Sequence, residues 1–326
     1  MGEGAVRSGG GLYAVGIMGL LLLFGMAYAL LLAVIVAGVV WQMNCPRRKT
    51  LGAALGMGGA GDPADLGLNA QVATFNLSDG STSPGWVIEG DNASGPVAVV
   101  VHGHRDSRFG SLYRAEMLAP YVSRAVVFDL PGHGDATARR CLMGKREAAD
   151  VLAVVAGLPE DWQAGGVVLM GYSMGATIVV KAAGLWPDRF AGVIAAAPYR
   201  FWDEGLRGQL ARRKIPRFPA VMLAGWLLRA VPGLAERPGF DRAQDAAQYP
   251  GPLLVLHGDA DDTCPLSAGQ AIAQAAPQGT LVVIAGGTHN QLLAADAQAV
   301  HGALQVFFEE VPSRCREASN QNLEKH

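Results

Sequence analysis

The pattern of apolar and polar positions divides the chain into two unlike parts. From Ser8 to Pro46 no charged residue occurs, and the apolar core, Leu12 to Trp41, reads LYAVGIMGLLLLFGMAYALLLAVIVAGVVW. As a helix this core measures about 45 Å at ~1.5 Å per residue, more than the ~30 Å of hydrocarbon in a bilayer, so it can cross with tilt or overhang. Tyr13 and Trp41 stand near its ends, where an aromatic belt places them. A signal peptide has an apolar region of only ~7–15 residues, and Gln42-Met43-Asn44 before Cys45 is no lipoprotein cleavage box. The pattern therefore predicts an N-terminal tail at 1–11 and an uncleaved transmembrane helix at 12–41.

After the anchor the period changes. Residues 42–65, with the Gly- and Ala-rich TLGAALGMGGAGDPAD at Thr50 to Asp65, read as a linker. From residue 66 to 312, strand-like runs alternate with helical segments. Strands are predicted at Val72–Leu77, Trp86–Glu89, Val97–Val101, Ala125–Leu130, Val167–Met170, Gly192–Ala197, Leu253–Leu256 and Leu281–Ala285. Helices are predicted at Ser111–Tyr121, Lys145–Leu158, Gly175–Leu185 and Leu292–Glu310, with a C-terminal tail at 313–326. Continuous apolar runs such as VAVVV belong to strands buried on both faces. The alternation indicates an α/β class, a mostly parallel twisted sheet with helices on both faces. Tyr199 to Tyr249 breaks it and reads as a small helical insert, with the apolar AVMLAGWLLRAV (Ala220 to Val231) beside Arg212-Arg213-Lys214. Such an insert can pack on the sheet edge, cap an active site or face a membrane.

Composition adds exclusions. Half of the 326 residues are apolar and 17% charged, enough for a core and unlike a disordered chain. Lys plus Arg number 26 against 28 Asp plus Glu, a net charge of −2, so no basic balance suggests nucleic acid. Cys45, Cys141, Cys264 and Cys315 are scattered with no CxxC pair, so no metal site is visible. With no G-x-G-x-x-G after the first strand and no P-loop, no cofactor is implied. Arg47, Arg48 and Lys49 follow the apolar span while only Arg7, offset by Glu3, precedes it. The positive-inside rule then puts the C-terminal domain in the cytoplasm of a single-pass membrane protein.

Chemistry concentrates at Gly171-Tyr172-Ser173-Met174-Gly175, after a predicted strand and at the start of a predicted helix. G-x-S-x-G in that context is a nucleophile elbow. The turn lifts the Ser173 hydroxyl above the sheet at the amino end of a helix, and the Met174 N–H faces the place where an oxyanion develops. A serine needs a base. Of seven histidines, His289 in GGTHN follows the last strand and can reach over the rim. His301 falls inside a helix and His326 lies near the end, while His102, His133 and His257 sit at strand ends, where they brace loops. The base needs an acid to hold its tautomer, and the loop after LLVLHG holds Asp259, Asp261 and Asp262. Arg105, Asp106 and Arg108 read as surface pairs.

Four motifs carry a resemblance: VVVHGH (99–104), FDLPGHG (128–134), GYSMG (171–175), and LHGDADDTCP (256–265) with the later GGTH (286–289). From about Val97 to the closing helix the chain resembles the α/β-hydrolase fold superfamily. With its anchor, Gly85-Trp86 strand and HGHRDSR it is most similar to bacterial membrane-anchored serine hydrolases of the Bem46-like and ABHD type. The resemblance implies that Asp261 is the acid and that the backbone N–H of His104 completes the oxyanion hole with that of Met174. It implies hydrolysis of carboxylic esters or thioesters, small acyl esters or lipids, through an acyl-enzyme. An acyltransferase using the same triad, or a non-catalytic membrane-bound scaffold, are the alternatives. Oligomeric state is left open.

Overall fold

The computed structural model describes residues 9–142, 144–212, 214, 217–230 and 240–323. Glu3, Arg7, Arg213 and His326 lie outside the described residues. In chain order the elements are α1 (Gly9–Asn44), α2 (Leu51–Gly56), β1 (Ala70–Asn76), β2 (Thr82–Glu89), β3 (Val97–Val101), α3 (Arg108–Leu118), β4 (Arg124–Phe128), α4 (Lys145–Ala156), β5 (Val167–Tyr172), α5 (Met174–Leu185), β6 (Gly192–Ala196), α6 (Trp202–Arg212), α7 (Arg217–Ala230), α8 (Arg242–Ala247), β7 (Pro252–Gly258), α9 (Leu266–Ala275), β8 (Gln278–Ile284), α10 (Leu292–Ala295) and α11 (Ala297–Leu323).

The strands form one eight-stranded sheet in the order β1-β2-β4-β3-β5-β6-β7-β8. β1 and β2 pair antiparallel, as do β2 and β4, and every later pair is parallel. The two-residue side-chain period explains the two cores. Val97, Val99 and Val101 of β3 pack with Val151 and Val154 of α4 and Ile178 of α5 on one face. Ala98 and Val100 pack with Leu112 of α3 and Leu304 and Phe307 of α11 on the other. All five β3 side chains are buried, which is why the strand reads as an unbroken apolar run.

Three expectations change. Residues 50–65 are tied down rather than forming a free linker. Asp62 accepts a hydrogen bond from Ala64 N at 2.9 Å and Asp65 accepts from Asp62 N at 3.0 Å, a capping box that starts a short 3-10 turn at Pro63. The Ala60 N–H donates to Tyr113 Oη of α3. Gly and Ala left this segment without a pattern of its own, and contacts with α3 supply the order. The closing helix is two helices, broken at Asp296, whose carboxylate caps α11 by accepting from Ala299 N at 2.9 Å. The α11 backbone then runs to Leu323, past the expected start of the tail.

The third change concerns the insert. Its last helix, α8, is part of the main helical layer, with Ala246 in the core beside α5 and α9. Its other two, α6 and α7, meet the end of α1. Leu32, Val36, Val39, Val40 and Met43 recur every three or four residues along α1, so they share one face. That face is buried against Leu206 and Leu210 of α6 and Ala220 and Ala224 of α7.

Candidate active site

Parallel strands bring their carboxyl ends to one rim, and Ser173, Asp261 and His289 follow β5, β7 and β8 there. Ser173 has φ 52° and ψ −115°, a conformation costly for a residue with a Cβ. The surrounding glycines make room for it. A Cβ on Gly171 would lie 2.2 Å from Gly175 O, and one on Gly175 would lie 2.1 Å from Val101 O. The chain can turn from β5 into α5 in so little space only with hydrogen at both positions.

The His289 Nε2 is 2.9 Å from Ser173 Oγ, and His289 Nδ1 is 2.8 Å from Asp261 Oδ2. The other carboxylate oxygen of Asp261 accepts from Thr263 N and Cys264 N, both at 2.8 Å. The three side chains thus form a hydrogen-bonded line. Burial works to raise the Asp261 carboxyl, but the hydrogen bond and charge of His289 and the two amides outweigh it and hold the group below the usual carboxylate value. Its neighbours serve other ends. Asp259 accepts from Gly286 N at 2.7 Å and Asp262 from Thr263 Oγ1 at 3.0 Å. His257 is fully buried beneath the acid, with Nε2 3.1 Å from Cys264 O, and burial lowers its pKa.

The loop after β3 passes directly beside the serine: a Cβ on Gly103 would lie 3.4 Å from Ser173 Cβ. His104 follows Gly103 in this loop, and Met174 follows Ser173 as the first residue of α5. This loop is braced by a histidine cluster. The rings of His102 and His133 are 5.0 Å apart edge-on, and those of His104 and His133 5.6 Å apart. His102 Nε2 accepts from Leu130 N at 3.0 Å, and its Nδ1–H donates to Gly103 O at 2.7 Å. Burial holds His102 and His133 below the ordinary imidazole value and His104 at about 4, so the cluster is neutral.

Of the three charges in HGHRDSR, Arg105 is exposed, while Asp106 and Arg108 are braces rather than surface pairs. Arg108 binds Asp129, which is fully buried, and Asp135 at 2.8 Å. Asp106 pairs with Lys49 at 2.9 Å and Arg114 at 3.6 Å. Lys49 belongs to a segment that sequence reasoning assigned only to topology. The Arg48 guanidinium donates to Gly134 O (3.1 Å), Ala136 O (2.7 Å) and Ala138 O (2.9 Å). Cys141 N donates to Asn44 O, and His104 Nε2 donates to Met43 O at 3.0 Å. The end of the apolar helix is thus hydrogen-bonded to the loops around the serine. The one sequence signal was the excess of charge in HGHRDSR, which called for partners.

A cavity of about 430 Å³ flanks the triad, lined by Tyr113, Arg114, Met117, Tyr172, Asn290 and His301 among others. The Arg114 guanidinium lies 4.0 Å over the Tyr172 ring. Among the described residues no three His, Cys, Asp or Glu side chains converge in a way that could hold a metal ion.

A parallel sheet with a serine on a strained strand-to-helix turn, faced by a histidine and an acid from later strand ends, defines the class of α/β hydrolases. Residues 98–303 match the model of the Alpha/beta hydrolase family, and the chain belongs to that family. No curated protein sequence matches it. Among solved structures it is similar to an esterase of Pyrococcus furiosus (TM-score 0.62, 20% identity, 76% of this chain and 93% of that one). It is also similar to an esterase of Rhodococcus sp. (TM-score 0.53, 19% identity, 74% and 99%). A thermophilic esterase from Thermogutta terrifontis superposes with TM-score 0.52 at 22% identity, over 74% and 99% of the two chains. At these identities the likeness is one of fold.

Proposed function

We propose that this protein is a membrane-anchored serine hydrolase that cleaves carboxylic esters or thioesters through an acyl-enzyme. The observation that carries the reading is the hydrogen-bonded line Ser173–His289–Asp261, with the serine on its strained turn. As Ser173 Oγ attacks the acyl carbonyl, His289 Nε2 takes its proton. Asp261 holds the Nδ1 proton, fixes the tautomer and stabilises the imidazolium. The backbone N–H groups of His104 and Met174 hold the oxyanion. The imidazolium protonates the departing alkoxide or thiolate. Water, giving its proton to His289, then attacks the acyl-enzyme and frees the acid and Ser173. The esterase activity of the structural neighbours agrees with this chemistry.

The anchor in this reading is α1, the one helix among the described residues long and apolar enough to cross a membrane. The protein is then single-pass, with its catalytic domain in the cytoplasm. Ser173→Ala is expected to lower kcat on p-nitrophenyl esters by roughly 10⁴–10⁶ and to abolish labelling by a fluorophosphonate. Near-normal turnover by that variant would overturn the scheme.

A further inference from the structure

The anchor, the insert and the serine form one connected unit. α1 has 36 residues and measures about 54 Å at ~1.5 Å per residue, well beyond the ~30 Å of a hydrocarbon core. Burial divides it. From Tyr13 to Leu31 the described large apolar side chains are exposed on every side, and Gly9 to Leu31 spans about 34 Å, close to the membrane requirement. From Leu32 to Met43 one face is covered by α6 and α7. The excess length of the helix is therefore the part that meets the catalytic domain.

α7 has two opposite faces. Ala220 and Ala224 are fully buried against α1, and their small size lets the two helices approach closely. Met222 and Trp226 point the other way and are 65% and 63% exposed. Phe218, 74% exposed, precedes them by one turn; its extended φ −102° and ψ 132° follow from Pro219 and put it at the helix start. On α1 itself, beyond the face that α6 and α7 cover, Val34 and Trp41 are 62% and 58% exposed. The sequence at the end of α6 and just after it is basic, Arg212-Arg213-Lys214, with Lys214 exposed. An apolar stripe flanked by basic residues fits a surface of anionic lipid.

Two of these helices, α1 and α6, reach the loops of the site. α1 ends on the oxyanion loop through Met43 and His104. α6 comes so close to the acid loop that a Cβ on Gly208 would lie 2.8 Å from Thr263 O.

We propose that α7 and the end of α1 form a single lipid-contacting surface that rests on the bilayer where the span leaves it, with Phe218, Met222 and Trp226 in the interfacial layer of one leaflet, so that the serine takes ester substrates directly from the bilayer. This rests on the reading of α1 as a membrane anchor and names the substrate class as lipid esters. Continuity with α1, the length left over after the span and the basic segment select the bilayer as occupant.

The test uses the full chain in nanodiscs of mixed anionic and zwitterionic lipid, with Cys45→Ser and Cys315→Ser as background. An environment-sensitive fluorophore is attached at Met222→Cys, at Leu21→Cys in the span and at Glu309→Cys on α11. The label at 222 is expected to be blue-shifted and quenched by doxyl lipids like that at 21, while the label at 309 is not. Quenching at 21 without quenching at 222 overturns this proposal alone, and quenching at neither overturns the anchor as well. Shielding at 222 only when two chains share a nanodisc would make a second copy the occupant and also overturn it. In a second arm, Phe218→Ser/Met222→Ser/Trp226→Ser should lower turnover of a long-chain ester embedded in the nanodisc about 10-fold or more. Its p-nitrophenyl acetate hydrolysis should stay within about 2-fold of the parent. Equal losses on both substrates overturn the proposal. If the parent hydrolyses neither ester, the esterase reading fails while the label arm still decides the contact.

Discussion

Arg48 offers the sharpest test of how the segment after α1 supports the site. Its guanidinium donates to three carbonyls, at positions 134, 136 and 138, the last of which also accepts from Gly132 N. Hydrogen bonds involving a charged group contribute roughly 1.5–3 kcal/mol each. These are half-buried, and water takes over part of what Arg48→Ala removes, so the local loss is about 2–4 kcal/mol rather than the full sum. The segment affected carries His133, which lies against the rings of His102 and His104. It also carries Cys141, whose Sγ is 3.6 Å from Sδ of Met174, the residue after Ser173. Hydrogen exchange of the full chain in nanodiscs measures the effect. Amides of Gly132 and Ala136, bonded within this region, and of Cys141, bonded to Asn44 O, should exchange roughly 30- to 1,000-fold faster, that ratio being the same free energy at ~1.4 kcal/mol per decade. Arg48→Lys should fall between, because a single ammonium cannot span three carbonyls as a planar fork does. Exchange within about 3-fold of the parent for Arg48→Ala would refute the argument.

Three further outcomes follow from the same geometry. Deleting residues 1–31 should leave the catalytic domain folded, whereas deleting 1–44 should lower its melting temperature and raise dye binding. The longer deletion strips Val36, Val39, Val40 and Met43 from α6 and α7, and each buried apolar side chain stabilises the docked form by roughly 1.5–3 kcal/mol. Gly175→Ala should cost about 1–3 kcal/mol by overpacking and weaken fluorophosphonate labelling, because the new methyl meets Val101 O and His102 O, both backbone. Stability should also fall in mild acid. Burial holds the folded pKa of His102, His104 and His133 below their ordinary 6.5, so the unfolded chain binds more protons and stability rises with pH. Their contribution is complete above about pH 6.5 and is lost as pH falls toward about 4, the His104 value. A melting series over that range should be less steep for His104→Gln than for the parent.

Much of the site was legible because its chemistry is written locally. A serine between glycines, set between a strand run and a helix run, describes a turn that few other sequences can make. His289 was legible by elimination, since its rivals fall inside a helix, at braced strand ends or at the chain terminus. Asp261 was not separable from Asp259 and Asp262 by composition. Resemblance to a motif chose it, and its bond to His289 agrees. The linker was misread because Gly and Ala residues have little local preference, and its order comes from Asp62, Asp65 and Tyr113 acting together.

The sequence by itself determined the strands, the elbow and the apolar helix, because each is set by neighbours within a few residues. Only the tertiary structure decided where that helix stops facing its surroundings and starts facing the protein. An all-apolar helix has no polar side to mark which face will be covered, so Leu32, Val36 and Val40 look like every other position in the run. The ties between the residues after α1 and the site were hidden for a related reason: Lys49 and Asp106 are 57 residues apart, and Arg48 and Ala138 are 90 apart. Pairings over such distances are fixed by the packing of the sheet and its helices, which no local pattern records.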